Sequence, residues 1–174
     1  MDKDKINRLH ETNWQVLKAH IFAQDENWWA VGPENKWTAG QHIVHLQQTV
    51  TAVLGGVKYP AFVLSYQFGK ANRPVRDYET VVKKYHDKLA ASGAVVAPIS
   101  TSMPETPPES REGICNKFEQ DLKKLQKKIS KYSDNNFDTL LIPHPLMGRM
   151  IMREFFMWHT YHIEHHLNVL KEKY

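Results

Sequence analysis

A chain of 174 residues with 41% hydrophobic and 11% aromatic content can bury one good core and is short for two. A single domain over residues 1–174 is therefore the expectation. The 23 Lys and Arg against 19 Asp and Glu leave a net charge of only +4, too small a bias to indicate nucleic acid. No run approaches the roughly 20 apolar residues that a membrane-crossing helix needs, and the charged start Met-Asp-Lys-Asp-Lys lacks the pattern of an export signal. Cys115 is the one cysteine, so no intramolecular disulfide forms, and a thiolate zinc site would need ligands from more than one chain. The expected compartment is the reducing cytoplasm.

In chain order, Ile6, Leu9, Val16, Leu17 and Phe22 predict a first helix from about Lys5 to Gln24. Asp25 to Lys36, with Gly32-Pro33, reads as a connection, and Trp28, Trp29 and Trp37 are expected to cover one end of the core. Thr38 followed three residues later by Gln41 is a capping box. It opens a second helix from Ala39 to about Tyr59 that resumes after Pro60. Ile43, Leu46, Val50, Val53 and Val57 give that helix its apolar face, and His42 and His45 lie at the edge of the face. Helix geometry alone does not choose between these two histidines.

A third helix is expected from Arg76 to Ser92, stopped by Gly93. Pro98, Pro104, Pro107 and Pro108 exclude a helix between Ala94 and Ser110 and predict a long crossover. Phe118, Leu122, Leu125, Ile129 and Tyr132 then recur at spacings of a helix-bundle stripe. Lys123, Lys124, Lys127 and Lys128 on the other side, mixed with Glu119 and Asp121, read as a solvated face rather than a nucleic-acid surface.

The last helix carries the strongest chemical signal, Trp158-His-Thr-Tyr-His-Ile-Glu-His-His-Leu167. On a helix, His159, His162 and His166 fall within about 60° of one another, and His162 and His166 are a turn apart. That is the spacing by which a helix offers two imidazole nitrogens to an ion. His165 points about 80° away from the mean direction of that pair. Glu164 follows His162 by two residues, with Ile163 where a zinc protease places its carboxylate, so peptidase chemistry is disfavoured.

The early Trp37-Thr-x-x-x-His-x-x-His-Leu46 paired with the late His162-x-x-His165-His166-Leu167 resembles the DinB-like, or YfiT-like, superfamily of four-helix-bundle metal-binding proteins. His144-Pro-Leu-Met-Gly-Arg149 is similar to the lead-in to the last helix in a branch of that superfamily. The resemblance implies an all-α four-helix bundle with a long crossover, and a homodimer. It also implies a divalent ion, zinc or nickel before iron or manganese, held by His45, His162 and His166.

Three imidazoles leave coordination positions open for water or substrate, as a catalytic site does. By resemblance, the expected activity is transfer of a low-molecular-weight thiol, such as bacillithiol or mycothiol, to a small-molecule substrate. The alternatives are hydrolysis by metal-activated water, or a non-catalytic metal-binding dimer. His42 and His159 are the candidates for proton transfer or ligand orientation. Arg149 and Arg153 are the candidates for binding an anionic thiol, because guanidinium matches carboxylate geometry.

Overall fold

The computed structural model describes residues 1–92 and 103–174. Helix α1 spans Lys3–Phe22, two residues earlier than expected at each end, because Asp2 caps it by accepting a 2.6 Å hydrogen bond from the Lys5 amide. Its buried stripe is Ile6, His10, Trp14, Leu17 and Ile21, while Val16 and Phe22 stay exposed. The stripe thus runs in a different phase from the one predicted, with a histidine inside it. A 3-10 turn over Glu26–Ala30 follows and buries Trp29.

Helix α2 spans Ala39–Gly56 behind a complete capping box: the Gln41 amide donates to Thr38 Oγ1 at 3.2 Å, and the Thr38 amide donates to Gln41 Oε1 at 2.9 Å. The predicted break at Pro60 is present, and Pro60 precedes α3, Ala61–Phe68. Helix α4 spans Tyr78–Ala91, its start set by Asp77 accepting from the Thr80 amide. Much of the expected crossover from Ala94 to Ser110 lies outside the described residues. Of its described part, Thr106 Oγ1 lies 2.7 Å from Thr38 Oγ1 and Pro104 O accepts from Gln41 Nε2, which clips the chain to the start of α2.

Helix α5 spans Arg111–Lys131 and buries the predicted Phe118, Leu122, Leu125 and Ile129. Lys123 and Lys124 pair with Glu119 and Asp121. Helix α6, Asp134–Thr139, and strands β1, Leu141–His144, and β2, Gly148–Ile151, were not anticipated. The antiparallel hairpin corrects the all-α expectation to a predominantly helical fold with a small sheet. Gly148 closes its turn at φ +72°, a left-handed conformation that glycine adopts without a Cβ clash.

Helix α7, Met152–Lys173, is the centre of the molecule. It packs against α1, α4, α6 and the hairpin, and α2 joins it while packing mainly on α5; α1 also meets α5. Enclosed on several sides, α7 buries consecutive residues from Phe155 to Thr160 instead of one stripe. Among the described residues no helix is long and apolar enough to cross a membrane.

Candidate metal centre

The capping box fixes where α2 begins, and the packing of α2 beside α7 brings His42 and His45 against that helix. From α7, His162 and His166 meet them one turn apart. His45 Nε2 lies 3.3 Å from His162 Nε2, and His166 Nε2 lies 3.0 Å from His162 Nε2. One ligand atom from each of the three falls within 4.8 Å of the others. A tetrahedral ion with bonds of about 2.0–2.1 Å separates its nitrogens by about 3.3 Å, so these imidazoles fit a divalent cation in spacing and donor type. His42 belongs to the cluster but not to the trio.

Burial sets the charge of the cluster. It pushes His45 and His42 down to about 4, and His162 and His166 lie well below the usual histidine value for the same first reason, with neighbouring histidines adding to it. Near pH 7 all four rings are neutral and offer lone pairs, the form a metal ligand requires.

A hydrogen-bonded chain then determines which lone pair His166 offers. Tyr174 donates its hydroxyl proton to Trp37 O, a carbonyl that can only accept. The Tyr174 oxygen, 3.0 Å from His42 Nε2, must therefore accept from that nitrogen. A neutral His42 with its proton on Nε2 has a bare Nδ1, which lies 2.8 Å from His166 Nδ1 and accepts from it. His166 is left with a lone pair on Nε2, the nitrogen that faces His162. His42 thus acts as an orienting partner of a candidate ligand.

Aromatic rings fix the remaining orientations. Trp37 stacks at 16° to His166 with centroids 6.4 Å apart, and its ring centre is 5.1 Å from that of His45. Trp37 therefore covers the histidines, not an end of the apolar core as expected. His162 stacks on Trp158 with centroids 4.7 Å apart, and its Nδ1 has no hydrogen-bond partner among the described residues.

The histidines occupy a wall of a cavity of about 890 Å³, whose remaining lining is largely apolar and comes from α2, α3, α4, the hairpin and α7. Among the described residues none of Asp, Glu, Lys or Arg lines it. His144 and His165 do. His144 Nδ1 accepts from the amides of Leu146 and Met147, both at 3.0 Å, so its proton sits on Nε2. His165 packs beside His166 with centroids 5.3 Å apart, outside the trio.

The other sequence candidates lie elsewhere. His159 is fully buried, 2.9 Å from His10 Nε2 through its Nδ1, and it does not line the cavity. Burial takes its pKa down to about 3, with His144 contributing. Arg149 donates to Phe68 O at 3.1 Å and lines a separate basic cleft with Arg73, Arg76, Lys84 and Lys88. Arg153 is held by Asp138 and by Met1 O, over the ring of Phe137. Sequence reasoning missed Tyr174 and the cavity role of His144, since neither shares a spacing pattern with the residues it serves.

A family model described as a protein of unknown function (DUF1569) matches residues 6–173. No curated protein matches the chain. No solved structure matches it either.

Proposed function

The chain belongs to the DUF1569 family of proteins of unknown function, and we propose that it is a divalent-metal-dependent enzyme of the thiol S-transferase type, with His45, His162 and His166 as the ligands. The observation that carries this reading is the convergence of three neutral imidazoles, with Nε2 separations of 3.0 and 3.3 Å, on the wall of an apolar cavity. The finer fold assignment, a DinB-like four-helix bundle of α1, α2, α5 and α7, is part of the same reading; the packing of α1 on α7 and of α2 on α5 supports it.

A divalent ion held by these three histidines, zinc or nickel before iron or manganese, would supply Lewis acidity there and lower the pKa of a thiol or water bound to it. His42 and Tyr174 hold His166 in the tautomer that ligation needs. The apolar walls leave the reacting thiol few polar neighbours beyond the histidines, while the open side of the cavity keeps it in reach of solvent. In the transfer the thiol gives its proton to solvent, sulfur bonds to an electrophilic carbon, and the leaving group departs from that carbon with the electron pair. Hydrolysis stands second. It needs a proton acceptor for water; no carboxylate is among the described cavity-lining residues, and His165, which lines the cavity beside His166, would have to take that role. Neither reading uses His159, Arg149 or Arg153.

Elemental analysis of tag-free protein, followed by thiol-consumption assays with electrophiles, tests the proposal. Wild-type protein should carry an equimolar divalent ion. His45→Ala, His162→Ala and His166→Ala should lose it with helical content retained, while His165→Ala should keep it. Absence of an ion after reconstitution with zinc, nickel and manganese, or full retention in His45→Ala, would overturn the site. Metal-replete protein that consumes no thiol would overturn the transferase assignment alone.

A further inference from the structure

The cavity beside the three histidines has a polarity gradient that constrains what it can hold. Four of its histidines, His42, His45, His162 and His166, are gathered where α2 meets α7, with His165 beside them and His144 at the end of β1. Away from them the lining is Val53 and Val57 of α2, Leu64 and Phe68 of α3, and Ile142 and Leu146 of the hairpin. An ionised group packed against those side chains would lose part of its hydration with no opposite charge to meet it, because no charged residue lines the cavity among the described residues. The volume, about 890 Å³, lies in the range of small-molecule sites, about 300–1,000 Å³.

We propose that this cavity takes a small molecule with an uncharged alkyl or aryl body and a polar head directed at the histidines, so that the acceptor substrate is an apolar electrophile. The body follows from the cavity alone; the role of the head rests on the metal reading above. The basic cleft at Arg149 has the opposite character. Its Arg73 and Arg76 are already engaged by Glu154, and it shares none of the cavity's apolar lining.

Isothermal titration of metal-loaded wild-type protein with n-alkanols from butanol to octanol, and with n-alkyl hydroxamates of matching length, tests both parts. Alkanol affinity should rise about fourfold per added methylene until the cavity is full. An ω-aminoalkanol as long as the best alkanol should bind at least about tenfold more weakly, because it carries a charge into the apolar end. Ile142→Asp, on a half-buried edge strand, should weaken octanol binding while leaving metal content unchanged. Affinity independent of chain length, or equal binding of the ω-amino compound, would overturn the proposal. A graded alkanol series with hydroxamates no tighter than alkanols would leave the apolar site standing and count against the metal. Sedimentation in the same samples covers the other occupant: a dimer that octanol dissociates would show that a second copy of the chain fills the cavity, and would overturn the small-molecule assignment.

Discussion

Tyr174 acts on the candidate centre through two hydrogen bonds and a ring. Its hydroxyl proton is committed to Trp37 O, so His42 must donate to its oxygen, and the bare Nδ1 of His42 then selects the tautomer of His166. Tyr174→Phe keeps the ring that packs on Trp28 and His42 but frees His42 to take either tautomer. Loss of such an outer partner costs about 10–100-fold in metal affinity. We expect a loss in that range by competition with a chelating dye, with the thermal midpoint little changed. An unchanged dissociation constant would show that His166 needs no such orientation. Cys115 carries no comparable role: burial pushes its thiol up to about 12, which makes it an inert core residue.

At the scale of elements, the helices with regular apolar spacing were the legible ones. The capping box at Thr38 and the stripe of α5 follow from local chemistry, and both stand where the spacing put them. The hairpin was not legible, because strands of four residues interrupted by Pro143 give no period to read. Its place depends on α3 and α7 packing against it. A second tertiary device pins the connection between α3 and α4. Glu154, in the first turn of α7 and fully buried, accepts from Arg73 at 2.5 and 2.7 Å, from the Arg76 amide at 2.8 Å and from Arg76 Nη1 at 3.2 Å. Burial alone would raise its pKa, and the Arg73 and Arg76 partners outweigh that and lower it. Glu154→Gln should destabilise the protein, though by less than the about 3–5 kcal/mol of a fully buried pair, because the Arg73 and Arg76 side chains remain 29% and 32% exposed. Urea denaturation measures it, and a change within about 0.5 kcal/mol would remove Glu154 from this role.

Across the whole molecule, the notable feature is how many neutral histidines the core encloses. His10, His42, His144, His159, His162 and His166 are buried, and burial lowers the pKa of each. As pH falls below about 6.5, the unfolded chain takes up protons on these rings while the folded chain does not. Their stabilising contribution is therefore complete above that pH. It is lost as pH drops toward the folded values, about 4 for His42 and His144 and about 3 for His159. Each ring steepens the loss by up to about 1.4 kcal/mol per pH unit. Calorimetry of metal-free protein should show the thermal midpoint nearly level above about pH 6.5 and falling steeply from there to about pH 5, and a flat profile throughout would mean that the histidines are not held neutral.

The sequence by itself determined what depends on neighbours along the chain. Helix spacing put His162 and His166 a turn apart, Thr38 and Gln41 set where α2 starts, and Pro60 marked the break before α3. It did not determine which of His42 and His45 meets α7 directly; family resemblance named His45, and the fold places His45 against His162 and His42 behind His166. That choice is tertiary because it depends on the rotation of α2 against α7 across partners 117 and 124 residues apart in sequence. The displacement of His159 toward His10, and of Arg153 toward Asp138, has the same origin: side chains sharing a helix with the site face different neighbours once α1 and α6 pack against it. The neutral state of the rings is tertiary as well, since desolvation requires the whole core to close around them.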